Sequence, residues 1–449
     1  MSAVLMKILQ VILALSVLIV IHEAGHFTFA RIFGIRVDKF FLFFDAGGFK
    51  LLSTKEGWFS KLFPSLKEKE TEYGIGWLPL GGYCKIAGMI DESMDLEHLS
   101  HEPQPWEFRS KKAWQRLLVM VGGVLYNFIF AFIAYISILG IWGRTYLSNS
   151  SARIYVNDLA YEMGFRSGDR ILKMDDYVPE DFGMLQADLA RRSVREVTVL
   201  RGTDTLDIYI DRNTVGQILS TPGMFDIAVP FVVDSIIPGP NAGSGLAKGD
   251  KVVSIGGEEA EWFQDARALL ASHSGETVDA GVLRGADSLA VSLQVDSLGR
   301  IGVILPPLEG VVKKEYSALS AIPAGIKYTF DTIGGYLDDL KMVATPKTEA
   351  YKSVGSFIAI GQVFPSTWDW FRFINLLALL SIMLGVMNLL PIPGLDGGHI
   401  VFTLYEMLTG RKPSDRFLEA AQIIGMVLLL GLMVLAFGND IGRLIGGGF

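Results

Sequence analysis

Four long apolar stretches constrain this chain more than any other feature of its sequence. In chain order they cover about residues 5–33, 117–142, 373–395 and 420–438. Each is close to the roughly 20 residues with which an α-helix spans the hydrocarbon of a bilayer. With 50% hydrophobic and 20% charged residues, the chain is too apolar for an ordinary soluble enzyme. We therefore expect a polytopic α-helical membrane protein with four transmembrane helices, the first of them retained rather than cleaved as a signal peptide.

Charge and cysteine content exclude several classes of function. The net charge is −8, so the chain has no basic field with which to hold nucleic acid. Cys84 is the only cysteine, which excludes an intrachain disulfide and a cluster of thiolate zinc ligands. Any metal site must therefore use nitrogen and oxygen ligands.

Lysine and arginine in the flanks of the apolar stretches predict their orientation. Such residues concentrate on the cytoplasmic side of membrane helices. They flank the first three stretches at Arg31, Arg36, Lys39, Lys50, Arg109, Lys111, Lys112, Arg116, Arg411, Lys412 and Arg416. These loops should face the cytoplasm, with both termini outside. Two membrane regions, 1–146 and 372–449, then flank a large external insert.

The external insert contains a repeat. Residues 164–169 and 245–250 share the pattern Gly-x-x-x-Gly-Asp, and each copy is followed by alternating apolar residues and an Arg-Gly turn. The repeat predicts two similar α+β domains in tandem, at 147–222 and 223–308, followed by an amphipathic linker at 309–371. It resembles bacterial PDZ domains, which bind chain ends as an added strand. Two β-rich modules without a peptide groove are the alternative.

The first apolar stretch carries a metal-binding pattern, His22-Glu23-x-x-His26. Residues four apart share a helix face, so both imidazoles can bind one Zn²⁺. Glu23 lies about 100° around the helix, where it can act on a water molecule. A purely structural role is disfavoured, because each ionisable group costs about 2 to 3 kcal/mol in the bilayer centre.

A catalytic zinc site needs a third protein ligand. Asp396 is the best candidate, because it is a carboxylate at the inner end of the third apolar stretch. Two prolines and three glycines surround it between residues 388 and 399. Such a break is tolerated at membrane depth where the backbone lines a polar cavity or is buried in protein. His399 is a weaker candidate, more readily explained as an interfacial histidine on the loop.

Together these motifs resemble the site-2 protease family of intramembrane zinc metalloproteases, in particular its bacterial regulator-of-sigma-E type. The resemblance rests on the His-Glu-x-x-His pattern, a Leu-Asp-Gly motif at Asp396 and the tandem external modules, and it covers nearly the whole chain. It implies that His22, His26 and Asp396 bind one Zn²⁺ per chain and that Glu23 is the general base.

The resemblance also implies a set of substrate-binding residues. They are Asn127, Asn388, Pro391, Gly81, Gly82 and Tyr83. The last three belong to a glycine-rich run at about 73–87, which resembles the membrane-reentrant β-loop of the family and is expected to form a cytoplasmic β-hairpin. The chain departs from the family at Val124, where a proline is expected before the asparagine.

The implied function is a zinc metalloendopeptidase that cuts single-span membrane proteins after a first external cleavage. Anti-sigma factors and remnant signal peptides are the expected substrates, and the PDZ pair would act as a size filter. We expect a monomer in the bacterial inner membrane, with the lipid bilayer but no nucleic acid as a partner. A membrane-anchored PDZ adaptor with a structural or vestigial metal site is the alternative. The ligand set also suits iron.

Overall fold

The computed structural model describes residues 2–79, 81–89, 102–221 and 223–445. The chain divides into two compact units. The first, here called the membrane unit, consists of Met1–Gly143, Glu315–Lys341 and Lys352–Phe449. The second, here called the insert unit, consists of Arg144–Lys314 and Met342–Tyr351.

The described residues form α-helices and short β-strands. The helices are α1 (Ala3–Ile32), α2 (Gly57–Leu62), α3 (Pro64–Lys67), α4 (Ala113–Trp142), α5 (Asp158–Glu162), α6 (Leu185–Arg191), α7 (Val215–Ser220), α8 (Phe263–Ser272), α9 (Ala318–Val343), α10 (Phe357–Val363), α11 (Trp370–Leu389), α12 (Asp396–Thr409) and α13 (Asp415–Ile445). The strands are β1 (Val37–Leu42), β2 (Lys50–Ser53), β3 (Glu72–Gly76), β4 (Tyr83–Ile86), β5 (Arg144–Leu147), β6 (Ile154–Val156), β7 (Arg170–Met174), β8 (Glu196–Arg201), β9 (Asp204–Tyr209), β10 (Phe225–Ile227), β11 (Ser235–Ile236), β12 (Lys251–Ile255), β13 (Glu258–Glu259), β14 (Thr277–Arg284), β15 (Asp287–Gln294), β16 (Val303–Ile304) and β17 (Val311–Lys314).

Helices α1, α4, α11 and α13 are long and apolar enough to cross a bilayer, which confirms the prediction of four transmembrane helices. Helix α11 ends at Leu389, although the apolar stretch was expected to continue as a helix to about residue 395. Pro391 and Pro393 stop it, because proline lacks an N–H and disfavours the helical conformation in the residue before it. Residues 390–395 form a tight turn instead, closed by a hydrogen bond of 3.1 Å from Leu395 N to Ile392 O.

Helices α1 and α4 cross with their backbones in contact. A Cβ atom on Gly25 would lie 2.1 Å from the carbonyl oxygen of Gly122. Small residues that allow such close approach are typical of packed membrane helices. On another side of α4, Ser381 Oγ on α11 donates a hydrogen bond of 2.9 Å to the backbone oxygen of Asn127. Helix α4 therefore supports both α1 and α11.

The membrane unit also contains a four-stranded sheet in the order β2-β3-β1-β4. Strand β1 is parallel to β3 and antiparallel to β4, with Phe41 opposite Tyr83. Residues 73–87 are therefore not the β-hairpin that was expected, because β1 lies between β3 and β4. Beyond these strands, Phe44 and Leu78 form an isolated antiparallel bridge with two hydrogen bonds of 3.2 Å. Strand β4 is left at one edge of the sheet.

The insert unit contains two hydrophobic cores. Residues between Leu147 and Ile227 form the first, together with Met342, Val343 and Ala350. Residues between Phe231 and Leu305 form the second. The first core underlies the sheet β7-β8-β9 and the pair β10-β6, and the second underlies the sheet β13-β12-β14-β15 and the pair β11-β16.

Each half of the insert unit contains an equivalent aspartate–arginine pair. The Asp250 carboxylate is fully buried and accepts hydrogen bonds of 2.7 and 2.8 Å from Nε and Nη2 of Arg284. Arg284 Nη2 also donates a bond of 2.7 Å to Gly245 O. Asp169 and Arg201 make the corresponding pair, with two bonds of 2.8 Å. The repeated glycine-aspartate segments and Arg-Gly turns of the sequence are therefore joined by the same contacts in each half.

Replacing Asp250 with alanine should lower the free energy of unfolding of the insert unit by about 2 kcal/mol, because several charge-assisted hydrogen bonds are lost around a buried site. The Arg284 guanidinium holds the pKa of Asp250 below its usual value. The stabilisation is therefore complete above the unfolded-state pKa of about 3.9 and lost as the pH falls through the lower folded-state pKa. Thermal melts of wild type and variant across the acid range measure this difference.

The matched control is Ser292→Ala, which changes an exposed side chain on β15. We expect its melting temperature to stay near that of wild type. Equal melting temperatures for all three proteins at neutral pH would contradict the stabilising role of the pair.

Candidate metal centre

Two histidines on α1 and one aspartate on α12 converge on one point. Nε2 of His22 lies 3.3 Å from Nε2 of His26. Oδ2 of Asp396 lies 3.2 Å from the first of these atoms and 3.3 Å from the second. Among the described residues, these three side chains form a group whose possible ligand atoms all lie within 4.8 Å of one another.

Asp396 is the first residue of α12 rather than a residue at the end of the third span, where it was expected. This difference follows from the early end of α11. A carboxylate is favoured at the N-terminus of a helix by the helix dipole. Gly397 and Gly398 let the preceding turn fold back closely, since their Cβ atoms would lie 2.0 Å from Leu390 O and 2.7 Å from the Cα of Pro393.

The second ring nitrogen of each histidine also has a partner. Nδ1 of His26 lies 2.9 Å from the backbone oxygen of Val119, so it donates its proton there and leaves a lone pair on Nε2. Nδ1 of His22 lies 3.1 Å from the side-chain amide of Asn127. An amide can present either end, and the end that accepts from Nδ1–H leaves the Nε2 of His22 with a lone pair as well.

This donor set fits a divalent cation. Within the described residues, Oδ2 of Asp396 is buried without a hydrogen-bond partner, which is costly for a carboxylate oxygen. The Nε2 lone pairs of His22 and His26 point toward this oxygen. A cation between the three atoms would bind both lone pairs and the carboxylate. Two histidines and one carboxylate are a known ligand set of catalytic zinc. The residues present therefore fit Zn²⁺.

A cavity of about 800 Å³ opens onto these ligand atoms. Glu23 projects into it, and Asn388 lies on another wall with its amide nitrogen 3.4 Å from His22 Nε2. The backbone of Cys84 on β4 interacts with the Glu23 carboxylate. The residues of β4 and its lead-in that line the cavity are Gly81, Gly82, Tyr83, Cys84, Lys85 and Ile86. Glu23, the three possible metal ligands and the edge strand β4 therefore all border the same cavity.

Not every expected site residue lies in this cavity. Asn127 is fully buried behind His22, and Pro391 is exposed in the turn before Asp396. Neither is among the described residues that line the cavity. His399, the weaker ligand candidate, lines the cavity but does not belong to the converging group.

Gly123 is a site residue that the sequence analysis did not identify. A Cβ atom there would lie 2.4 Å from Nε2 of His26 and 2.7 Å from Cε1 of His22. Glycines are frequent in membrane helices, so a single sequence offers no signal that distinguishes Gly123.

The fold and the site together define a class. Four helices of membrane-spanning length, a His-Glu-x-x-His helix and an aspartate on a separate helix are the features of a membrane-embedded zinc metalloprotease. The model of Peptidase family M50, the site-2 protease family, matches residues 10–432. The chain belongs to this family.

Individual relatives of this chain are similar to it over nearly their whole length. The Regulator of sigma-E protease RseP of Escherichia coli is 28% identical over 463 residues, covering 96% of this chain and 98% of the relative. The Regulator of sigma E protease of Salmonella typhi is 27% identical, covering 99% and 100%. A Clostridium perfringens protein, provisionally named a zinc metalloprotease, is 29% identical, covering 97% and 98%. These findings confirm the predicted enzyme class, a zinc metalloprotease.

Replacing Gly123 with alanine should lower the zinc content of the purified protein, because the new methyl group would occupy the space of both imidazoles. Metal analysis of the detergent-purified protein measures this. The matched control is Gly140→Ala in the same helix, where the new atom meets only Ala321 Cβ at an ordinary 3.5 Å. Equal zinc contents in the two variants would show that Gly123 does not make room for the site.

Proposed function

We propose that this protein binds one Zn²⁺ per chain and cuts single-span membrane proteins within the bilayer. The observation that carries the proposal is the convergence of His22, His26 and Asp396 in a cavity that also contains Glu23. Because α1 is long and apolar enough to span a membrane, a peptide bond that reaches this cavity is cut at membrane depth.

Each residue of the site has a proposed role. His22, His26 and Asp396 hold the ion, and bound zinc supplies a Lewis acid that lowers the pKa of water toward neutrality. Glu23 takes a proton from the attacking water and passes it to the leaving amine nitrogen. Asn127 acts through His22 by orienting its ring.

Strand β4 is the proposed docking place for the substrate. The carbonyl groups of a transmembrane helix are hydrogen-bonded within the helix, so a substrate must be unwound and held extended before cleavage. Peptides are commonly bound in extended form by addition to a strand at the edge of a sheet, and β4 is such a strand. Gly82 keeps the lead-in to β4 close to α1, since a Cβ there would lie 2.4 Å from the side chain of Ile19. Asn388 offers an amide from the other wall, and Pro391 keeps the α11 helix short.

The insert unit is proposed to contain two PDZ-like domains, at about 147–222 and 223–308, joined to the second membrane region by the segment 309–371. The two separate cores and the matching aspartate–arginine pairs support two modules. The first core extends beyond the proposed bounds, since it includes residues up to Ile227 together with Met342, Val343 and Ala350 of the linking segment. On the external side of the membrane, such a pair would exclude substrates whose external domains have not yet been trimmed.

Names of relatives support the choice of substrate. Two of them are named as regulators of sigma E, which favours an anti-sigma factor as one substrate of this chain. Remnant signal peptides are single-span segments of the same kind. We propose that the protein lies in a bacterial inner membrane, with the active site toward the cytoplasm, and that it works as a monomer.

Replacing Glu23 with glutamine should separate catalysis from metal binding. Cleavage of a single-span model substrate should fall by at least about 100-fold, because an amide cannot accept the proton. Bound zinc should remain at the wild-type level, measured on the same preparation. Undiminished cleavage by this variant would contradict the proposal. An adaptor with a vestigial metal site would show no cleavage even as wild type.

Replacing His22 or Asp396 with alanine should remove most of the bound zinc, since each change deletes one of three ligands. The matched control is His399→Ala, which alters a neighbouring histidine in the same cavity and should retain the metal. Metal analysis measures the zinc content of the three purified variants and so tests which residues are ligands. Zinc loss in the His399 variant together with zinc retention in the Asp396 variant would show that the ligand set is wrong.

A further inference from the structure

A polar cluster lies at the end of the cavity where β4 begins. Tyr83, the first residue of β4, donates a hydrogen bond of 2.8 Å from its hydroxyl to Oδ1 of Asp45. Lys39 Nζ on β1 donates a bond of 3.1 Å to Oδ2 of the same carboxylate. All three residues line the catalytic cavity. Asp45 therefore links two neighbouring strands at the wall of the site.

The Tyr83 ring is also held by aromatic contacts. Its centroid lies 5.5 Å from that of Phe41, with 17° between the ring planes, and 6.1 Å from that of Phe44, with 7° between them. Gly81 makes room for this stack, because a Cβ atom there would lie 2.7 Å from Cε2 of Phe44. The ring is stacked on its faces and anchored at its hydroxyl, so its position defines where β4 starts.

Asp45 is charged when it makes these contacts. Burial acts to raise the pKa of Asp45, but hydrogen bonds from Tyr83 and Lys39 outweigh it and hold this pKa below its usual value. The carboxylate therefore accepts both bonds at neutral pH. Charge-assisted hydrogen bonds of this kind are stronger than neutral ones.

The start of β4 matters because β4 is a short strand at the edge of the sheet. Among the described strands it pairs with β1 alone, and the register of that pair shifts between Val37 and Lys39. A slip of one residue would displace an added strand by about 3.3 Å and turn its side chains to the opposite face. Such a slip would bring a different peptide bond to Glu23.

We propose that Asp45 is a positioning residue that acts through Tyr83. It fixes β4, and thereby sets the register in which a substrate strand passes Glu23. This inference rests on the proposed addition of substrate to β4. It assigns a role to Asp45 that neither the metal ligands nor the general base can supply.

The test measures which bond is cut as well as how fast. A single-span model substrate is cleaved by the full-length protein carrying Asp45→Ala, Asp45→Asn, Tyr83→Phe or the Asp45→Ala/Tyr83→Phe pair. Mass spectrometry of the products gives the cleaved bonds, and initial rates give kcat and KM. Zinc content is measured on every preparation.

We expect Asp45→Ala to raise KM about tenfold, the equivalent of one lost hydrogen bond, and to spread cleavage over neighbouring peptide bonds. Tyr83→Phe should behave in the same way, and the double variant should be no worse than either single one, because both break the same bond. Asp45→Asn keeps an acceptor for Tyr83 and should stay within about threefold of wild type.

The matched control is Ser53→Ala on β2, at the far edge of the same sheet. Ser53 Oγ donates a hydrogen bond of 2.6 Å to Glu72, so the variant weakens the sheet away from the cavity and should keep the wild-type cleavage position. The inference is overturned if Asp45→Ala cuts at the wild-type bond with unchanged KM, if it loses zinc, or if Ser53→Ala spreads cleavage equally. Failure of the proposed function would appear separately, as cleavage that does not depend on Glu23.

Discussion

The membrane unit is organised around the meeting of three ionisable side chains that are costly to bury singly. A charged group at the centre of a bilayer helix costs about 2.5 to 3.5 kcal/mol on insertion scales. His22 and His26 are buried, and Asp396 brings its Oδ2 within 3.3 Å of both Nε2 atoms. This contact joins α1 to α12 and brings the two imidazoles and the carboxylate to one point. A divalent cation at their meeting point would compensate all three.

Helix α4 makes this meeting possible although it supplies no metal ligand. Val119, Gly123 and Asn127 follow one another at intervals of four residues and therefore share one face. Along that face, Val119 offers a carbonyl to one histidine, Gly123 offers empty space to both, and Asn127 offers an amide to the other. Partners that orient the second nitrogen of a ligating histidine decide which nitrogen is free to bind metal. The α4 face therefore positions both histidines of the proposed metal site.

Sequence reasoning identified the features that leave a local signal. The four membrane helices follow from runs of apolar residues, and the His22–His26 spacing is a pattern within one helix turn. Asp396 stood out because it is a lone carboxylate beside prolines and glycines. Features that depend on distant parts of the chain were not identified. Gly123 is one glycine among many until the histidines are seen against it, and Asp45 meets Tyr83 across 38 residues of sequence. The parallel pairing of β1 with β3 has the same origin, because only the folded sheet shows which strands are neighbours.

The two edges of the four-stranded sheet, β2 and β4, differ in their position relative to the cavity. An unpaired edge invites unwanted pairing, and proteins protect such edges with short strands and charged residues, especially lysine. Strand β2 is short and carries Lys50, whose Nζ donates a bond of 2.8 Å to Glu72. Strand β4 is equally short and carries Lys85, so length and charge do not distinguish the two edges. The difference is position, because residues of β4 and its glycine lead-in line the cavity that contains Glu23, whereas none of the described β2 residues does. This position is the reason for proposing β4, rather than β2, as the edge that receives substrate.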